Sequence, residues 1–270
     1  MLEEERRQEI LRLLSQDYFI SAKALARVLH SSMTTIRRDL GELSTQGLIT
    51  RVRGGARQNH VPLPEDMRKS GTPFHAPLIN EIPFLYRKEA MADKKRIIAK
   101  KAVSLCNKDD VILMDGSTSV YHMVYFLKSQ TIKVCTQSFA VAEYLMKNTN
   151  NLVILSGGII YRDSQLLYDP FETRLFENYS ISKVFMSAKG IDERGVTNSD
   201  ILLIKMDQVM MNCGKEIILL IDSSKFGKSG ELLLCNYSRI STIITDSGVS
   251  EEHKEMVISK GVNLVIADDA

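Results

Sequence analysis

Residues Ser31–Ala56 read SSMTTIRRDLGELSTQGLITRVRGGA. The first half has helical period. Ile36, Leu40 and Leu43 fall on one stripe, and two serines stand where a helix N-cap is wanted. At about 100° per residue, Thr34, Arg38 and Gly41 point the other way, with Arg37 on the flank. Asp39 falls near the buried edge, which suits a structural salt bridge. After Gly47 the period changes to two: Leu48, Thr50 and Val52 alternate, and Gly54-Gly55 marks a turn. A helix followed directly by a short hairpin, with cations on both, suits a groove-reading helix and a hairpin resting on phosphates.

Upstream, EEERRQEILRLLSQ places Ile10, Leu11 and Leu14 at helical spacing behind an acidic first turn. SAKALARVLH follows, with Ser21 as its cap and Leu25, Val28 and Leu29 on one face. Three helices and a hairpin make a winged helix-turn-helix. Net charge over the 270 residues is only +2, so a nucleic-acid surface has to be local. From Ser32 to His60 five arginines face two acids, and arginine suits bidentate contact with guanine or phosphate. The candidate DNA-contacting residues are Ser32, Thr34, Thr35, Arg37 and Arg38 on the helix, with Arg51 and Arg53 at the hairpin.

Five of the six prolines fall in residues 60–83, HVPLPEDMRKSGTPFHAPLINEIP, a stretch without sustained period. It reads as a linker between a head (1–59) and a body (84–270). The four cysteines are widely spaced and form no metal-ligand pattern. They read as reduced thiols of a cytoplasmic protein. No apolar run approaches a membrane span, and MLEEERRQEI lacks the apolar core of a secretory signal.

In the body, strands and helices alternate. FLYRKEAMADKKRIIAKKAVSLC is a helix or helix pair, followed by strand DDVILMD, helix STSVYHMVYFLKS, strand TIKVCT and helix QSFAVAEYLMK. NLVILSGG, SKVFMSAKG, KEIILLID, STIITD and VNLVIAD are further strands. The pattern predicts an α/β, Rossmann-like body with a mostly parallel sheet. Ligands bind beyond the carboxyl ends of such strands. Those ends carry Asp115-Gly116-Ser117-Thr118-Ser119, Thr136-Gln137-Ser138, Ser156-Gly157-Gly158, Lys189-Gly190 and Asp222-Ser223-Ser224-Lys225. Hydroxyls, glycines and helix starts receive anions. Lys189 and Lys225 supply counter-charge, while Asp115 and Asp222 accept from sugar hydroxyls. A small phosphorylated sugar is the expected ligand, with no cofactor and no metal.

The stretch at 31–56 resembles the signature of the DeoR-type bacterial transcription regulators. Thr35 to Leu40, Leu43, Gly47-Leu48 and Arg51 to Ala56 match its helix and wing. The resemblance implies that Thr34, Thr35, Arg37 and Arg38 face DNA. It continues through DGSTS, TQS, SGG, KGIDERGVT and DSSKFG, where the family's sensor domain has similar motifs. It implies a fold similar to ribose-5-phosphate isomerase and a sugar phosphate that alters DNA affinity, usually to relieve repression. Three features depart from the pattern: Gln137 replaces asparagine, Tyr168-Asp169 stands where a glycine is usual, and the linker is long. The expected assembly is a homo-oligomer, dimer or tetramer, on double-stranded operator DNA. A rival reading is a sugar-phosphate isomerase or deaminase with a DNA-binding appendage, which needs a general base such as Asp115, Asp222 or His122. His122, within VYHMVYFL, reads as a packing residue, and the expectation is a sensor without enzyme activity. A third reading is a constitutive DNA binder whose body only oligomerises.

Overall fold

The computed structural model describes residues 3–16, 19–46, 48–52, 54–58, 84–162, 164–169 and 175–268. The chain divides into two units, Met1–Ala76 and Pro77–Ala270. The expected linker, 60–83, lies outside the described residues, as do Gly47 and Arg53.

The first unit contains α1 (Glu3–Gln16), β1 (Phe19–Ser21), α2 (Ala22–Val28), α3 (Met33–Thr45), β2 (Ile49–Val52) and β3 (Gly55–Gln58). Ser21 Oγ caps α2 by accepting from Ala24 N at 3.0 Å. Ser32 Oγ caps α3 by accepting from Thr35 N at 3.1 Å. The core joins Ile10 and Leu14 to Leu25, Leu29, Ile36, Leu40, Leu43 and Ile49. Burying each such side chain stabilises by roughly 1.5–3 kcal/mol. Three details differ from the sequence expectation. Val28 is 57% exposed, because α2 ends there and Leu29 turns inward instead. Leu48 is exposed and Ile49 is the inward residue of the hairpin. A third strand, β1, pairs with β3 (Ile20 opposite Ala56), so the wing is a three-stranded sheet in the order β1-β3-β2.

Asp39 is fully buried beside the apolar stripe of α3. It accepts from Arg6 Nε at 2.6 Å and Arg6 Nη2 at 3.2 Å, and Arg7 Nε lies 3.5 Å away. This pair fastens α3 to α1, and it raises the Arg6 guanidinium above its ordinary pKa.

The second unit begins with α4 (Phe84–Glu89) and α5 (Ala92–Val103). Then come β4 (Val111–Met114), α6 (Thr118–Tyr121), β5 (Lys133–Thr136), α7 (Phe139–Asn148), β6 (Leu152–Leu155), and a hairpin of β7 (Ile159–Tyr161) and β8 (Leu166–Tyr168). After these come β9 (Ile181–Met186), β10 (Gly190–Asp192), β11 (Gly195–Asn198), α8 (Ile201–Cys213), β12 (Gly214–Leu220), β13 (Leu232–Cys235), β14 (Thr242–Asp246), α9 (Glu251–Ser259) and β15 (Asn263–Ala267). Seven strands form one parallel sheet in the order β15-β14-β12-β9-β4-β5-β6, which makes this unit α/β as expected. Both faces are covered. Ile112 and Met114 pack in one core with Ile98 and Val141, and Leu113 packs in the other with Ile204 and Val257. The expected helix after β4 is a single turn followed by two 3-10 turns, in a segment rich in aromatic and β-branched residues. The β7–β8 hairpin and the small antiparallel sheet β10-β11-β13 are additions to the expected pattern.

Chain order runs outward from β4 through β5 to β6, and in the opposite direction from β9 through β12 and β14 to β15. The reversal opens a crevice beyond the carboxyl ends of β4 and β9. Among the described residues no helix is long and apolar enough to cross a membrane.

Replacing Asp39 with alanine leaves Arg6 buried without its acid. The expected loss is roughly 3–5 kcal/mol from the first unit, against within about 0.5 kcal/mol for Arg38→Ala. Thermal unfolding followed by circular dichroism measures the difference.

Candidate nucleic-acid interface and ligand cleft

The outward face of α3 carries exposed Ser32, Thr34, Arg37 and Arg38, with Thr35 partly buried. The Ser32 and Thr35 hydroxyls lie 2.8 Å apart, so both also serve the cap. Arg38 meets Glu3 at 3.2 Å; both are exposed, and a pair of this kind contributes little. Arg51, on β2, is exposed too, and a Cβ added at Gly41 would lie 3.6 Å from its Nη1. The guanidinium of Arg51 therefore lies over the middle of α3's outward face, beside Gly41. Helix and hairpin cations share one surface of the first unit. Arg53 falls outside the described residues.

In the second unit a cleft of about 310 Å³ opens at the β4–β9 crevice. Asp115, immediately after β4, is buried. Its Oδ1 accepts from Ser117 N and its Oδ2 from Ser187 N, both at 2.8 Å. Burial pushes its carboxyl up to about 6, against the pull of these N–H donors. Lys95 enters from α5, also buried. It donates to the Arg87 carbonyl and to Thr118 Oγ1 at 3.0 Å, and burial lowers its ammonium to about 8, with Lys225 acting in the same direction. Lys225 donates to Ser187 Oγ at 3.1 Å and to the Ala188 carbonyl at 2.8 Å, and burial lowers its pKa as well. Arg87, on α4, is lowered to about 10 by burial, with Asp115 opposing the shift. Asp222 caps the turn after β12 by accepting from Ser224 N at 3.1 Å. Asp207 reaches the cleft from α8. Burial, reinforced by the charge of Asp115, raises its carboxyl well above the ordinary range.

Of the expected effector residues, Asp115, Gly116, Ser117, Thr118, Gln137, Lys189, Asp222 and Lys225 line this cleft. Lys189 is an exposed member, bonded to Ser199 Oγ and 3.5 Å from Glu231. The others lie off it. Ser119 is turned into the core. Thr136 donates to the Met114 carbonyl at 2.8 Å, and Ser138 caps α7 by accepting from Val141 N. Gly157 and Gly158 belong to the approach to the β7–β8 hairpin. Gly158 has φ +121°, and a Cβ there would come within 2.2 Å of the Tyr168 carbonyl. At Gly116 a Cβ would come within 1.8 Å of Leu166 Cδ2, so glycine lets β8 close over the cleft.

Arg87, Lys95, Asn198 and Asp207 also line the cleft and are not among the residues expected from the sequence. Arg87 and Lys95 lie in a charged helical run that reads as a solvated face. Asp207 carried a usable signal, being the single acid among Leu203, Ile204, Met210 and Met211 on the buried face of α8. His122 is buried, with Nε2 3.0 Å from the Lys88 carbonyl, and burial lowers its pKa. It does not line the cleft. No group of three or more His, Cys, Asp or Glu suited to a metal ion occurs among the described residues.

A profile of the DeoR-like helix-turn-helix domain matches residues 6–61, and one of the DeoR C terminal sensor domain matches residues 90–247. The L-fucose operon activator of Haemophilus influenzae is 30% identical over 91% of this chain and 93% of its own length. The HTH-type transcriptional regulator GolR of Listeria innocua is 29% identical over 98% of each chain. Among solved structures, ribose 5 phosphate isomerase A from Neisseria gonorrhoeae is 15% identical over 50% of this chain and 53% of its own, with a TM-score of 0.38.

Lys95 titrates in the folded chain near 8, below its ordinary 10.5. Between those values the unfolded chain holds a proton that the folded chain has released, so this group's contribution to stability rises with pH and is lost as pH falls through 8. Urea unfolding from pH 7.5 to 9.5 should show the unmodified chain gaining stability relative to Lys95→Met. A constant difference contradicts the burial of this ammonium.

Proposed function

We infer, from the premise that this chain belongs to the DeoR family of transcriptional regulators, that a phosphorylated sugar in the β4–β9 cleft controls its grip on operator DNA. The chain is a DNA-binding regulator with a small-molecule sensor domain. The observation that carries the finer reading is the convergence of Arg87, Lys95 and Lys225 on one small cleft. Burial holds all three below their ordinary pKa values. Desolvated cations of this kind gain from an anion that enters with two negative charges. Thr118, Ser187 and the loop after β4 add polar groups around the same point. Asp222, Gln137 and Asp115 offer acceptors and donors to sugar hydroxyls.

On the DNA side, α3 enters a major groove with Thr34, Thr35, Arg37 and Arg38 towards base edges or adjacent phosphates, and Ser32 sits at the helix start. Arg51 and Arg53 contact the backbone. One head covers few base pairs, so two-fold pairing in a homo-oligomer supplies the affinity for a repeated site. The ligand acts through different affinity for the DNA-competent and incompetent states. A relative of this chain is named an operon activator, and ligand-controlled DNA affinity serves either sign of control.

The sensor reading is preferred to a sugar-phosphate isomerase or deaminase because relatives matched over 93% and 98% of their own length are named as regulators. His122, the one imidazole in the helical segment after β4, is engaged with the Lys88 carbonyl. Incubation with pentose and hexose phosphates should leave the sugars unchanged; turnover at enzymatic rates contradicts the sensor reading.

In a thermal-shift panel of sugar phosphates, one ligand should stabilise the chain, by about 2.7 kcal/mol at a hundredfold excess over Kd. No shift with any member favours a constitutive DNA binder. Lys225→Met should reduce the response to that ligand at least about tenfold while sparing DNA affinity, as read by calorimetry and gel shift. Arg38→Ala should weaken operator binding about tenfold with unfolding unchanged. Equal binding by that variant contradicts the assignment of α3's outward face.

A further inference from the structure

The cleft is electrically polarised. Its cations, Arg87 and Lys95 from α4 and α5 and Lys225 from the turn after β12, influence one another and Asp222 or Asp115. Asp207 stands apart from them on α8. It is 5% exposed, its hydrogen-bonding neighbour is Asn198, and the charged group acting on it is Asp115, another acid. Among the described residues no Lys, Arg or His lies within ion-pair distance of Asp207. A carboxyl so placed works against the fold, since α8 otherwise turns an apolar stripe inward at Leu203, Ile204, Met210 and Met211. If the ligand brought only hydroxyls to this end, an amide oxygen would accept them without the penalty of burying an acid. A buried carboxyl without a cation keeps its proton, and a cation that arrives with the ligand draws it into the charged form. The cleft, about 310 Å³, is at the small end of ligand pockets and suits a single phosphorylated sugar ring.

We propose that the effector is a phosphorylated amino sugar, its phosphate on Arg87, Lys95 and Lys225 and its ammonium on Asp207, and that Asp207 is the residue that selects it. This rests on the reading of the β4–β9 cleft as the effector site. The phosphate end supplies binding common to all sugar phosphates. The Asp207 end supplies discrimination, because an ammonium gains a charge-assisted contact that a hydroxyl or a neutral acetamide does not.

The test is calorimetric titration of the full chain with matched ligands in gluco and galacto configurations: the 2-amino-2-deoxyhexose 6-phosphate, its N-acetyl derivative and the parent hexose 6-phosphate, with inorganic phosphate alongside. In at least one configuration the amine should bind at least about tenfold more tightly than both partners, a difference of the size of one charged hydrogen bond. In Asp207→Asn the ratio should fall towards one. This comparison is first made on the unmodified chain, so it stands even if the variant folds poorly. Parent or acetylated sugars binding as tightly as the amine overturn the proposal, as does a preference that survives in Asp207→Asn. If inorganic phosphate binds but no hexose phosphate improves on it, the amino-sugar proposal fails and the anion-binding cleft stands. If neither phosphate nor any sugar phosphate binds, the cleft's assignment as the effector site fails with it.

Discussion

Both oxygens of the Asp115 carboxylate accept backbone N–H groups, one from Ser117 just past β4 and one from Ser187 just past β9. β4 and β9 are the neighbours between which chain order reverses. A single buried side chain thus holds together the two strand ends that define the crevice. It also fixes a negative charge in the floor of the cleft, and that charge acts on Arg87 and Lys225 and raises Asp207. Asp115 to Thr118 and Ser187 to Lys189 line the cleft because these two strands stop there, and α4, α5, α8 and the turn after β12 bring the remaining charged groups. Asp39 has the corresponding task in the first unit: one buried acid, answered by Arg6, sets the position of α3 on α1.

Much of this was legible because local period carries it. The stripe Ile36, Leu40, Leu43 and the buried side of Asp39 follow from helical phase alone. The partner of Asp39 does not, since Arg6 is 33 residues away in sequence. The strands of the parallel sheet were readable as short apolar runs, and the edge at which ligands bind follows from the topology. Which side chains face the crevice was not readable in the same way. In Ser117-Thr118-Ser119 the conformation of one helical turn points Thr118 to the cleft and Ser119 to the core. Arg87 and Lys95 look solvated in a run of charges, and only the packing of α4 and α5 over the strand ends desolvates them. Short irregular strands such as β1, β10 and β11 have too few residues to show a period of two.

The cleft's chemistry and the chain's order bear on control. Arg87 and Lys95 belong to α4 and α5, the first described elements after residue 83. An anion drawn to them engages the segment continuous in sequence with the stretch that leads to the DNA-binding head. Lys95 on the Arg87 carbonyl ties these two helices to each other, and His122 near the Lys88 carbonyl and Lys94 on Asp246 at 2.9 Å fix them to the rest of the unit. Coupling between cleft and DNA requires only that ligand contacts with these groups differ in strength between DNA-bound and free states. Because such coupling is reciprocal, it can be read from either ligand.

That reciprocity gives the most direct measurement. The sugar phosphate with the largest thermal shift is titrated calorimetrically into the free chain and into the chain saturated with operator DNA. Two different dissociation constants are expected, and their ratio equals the factor by which the same ligand changes DNA affinity. Equal dissociation constants in the two titrations would contradict this coupling, because a ligand indifferent to DNA occupancy cannot control DNA binding.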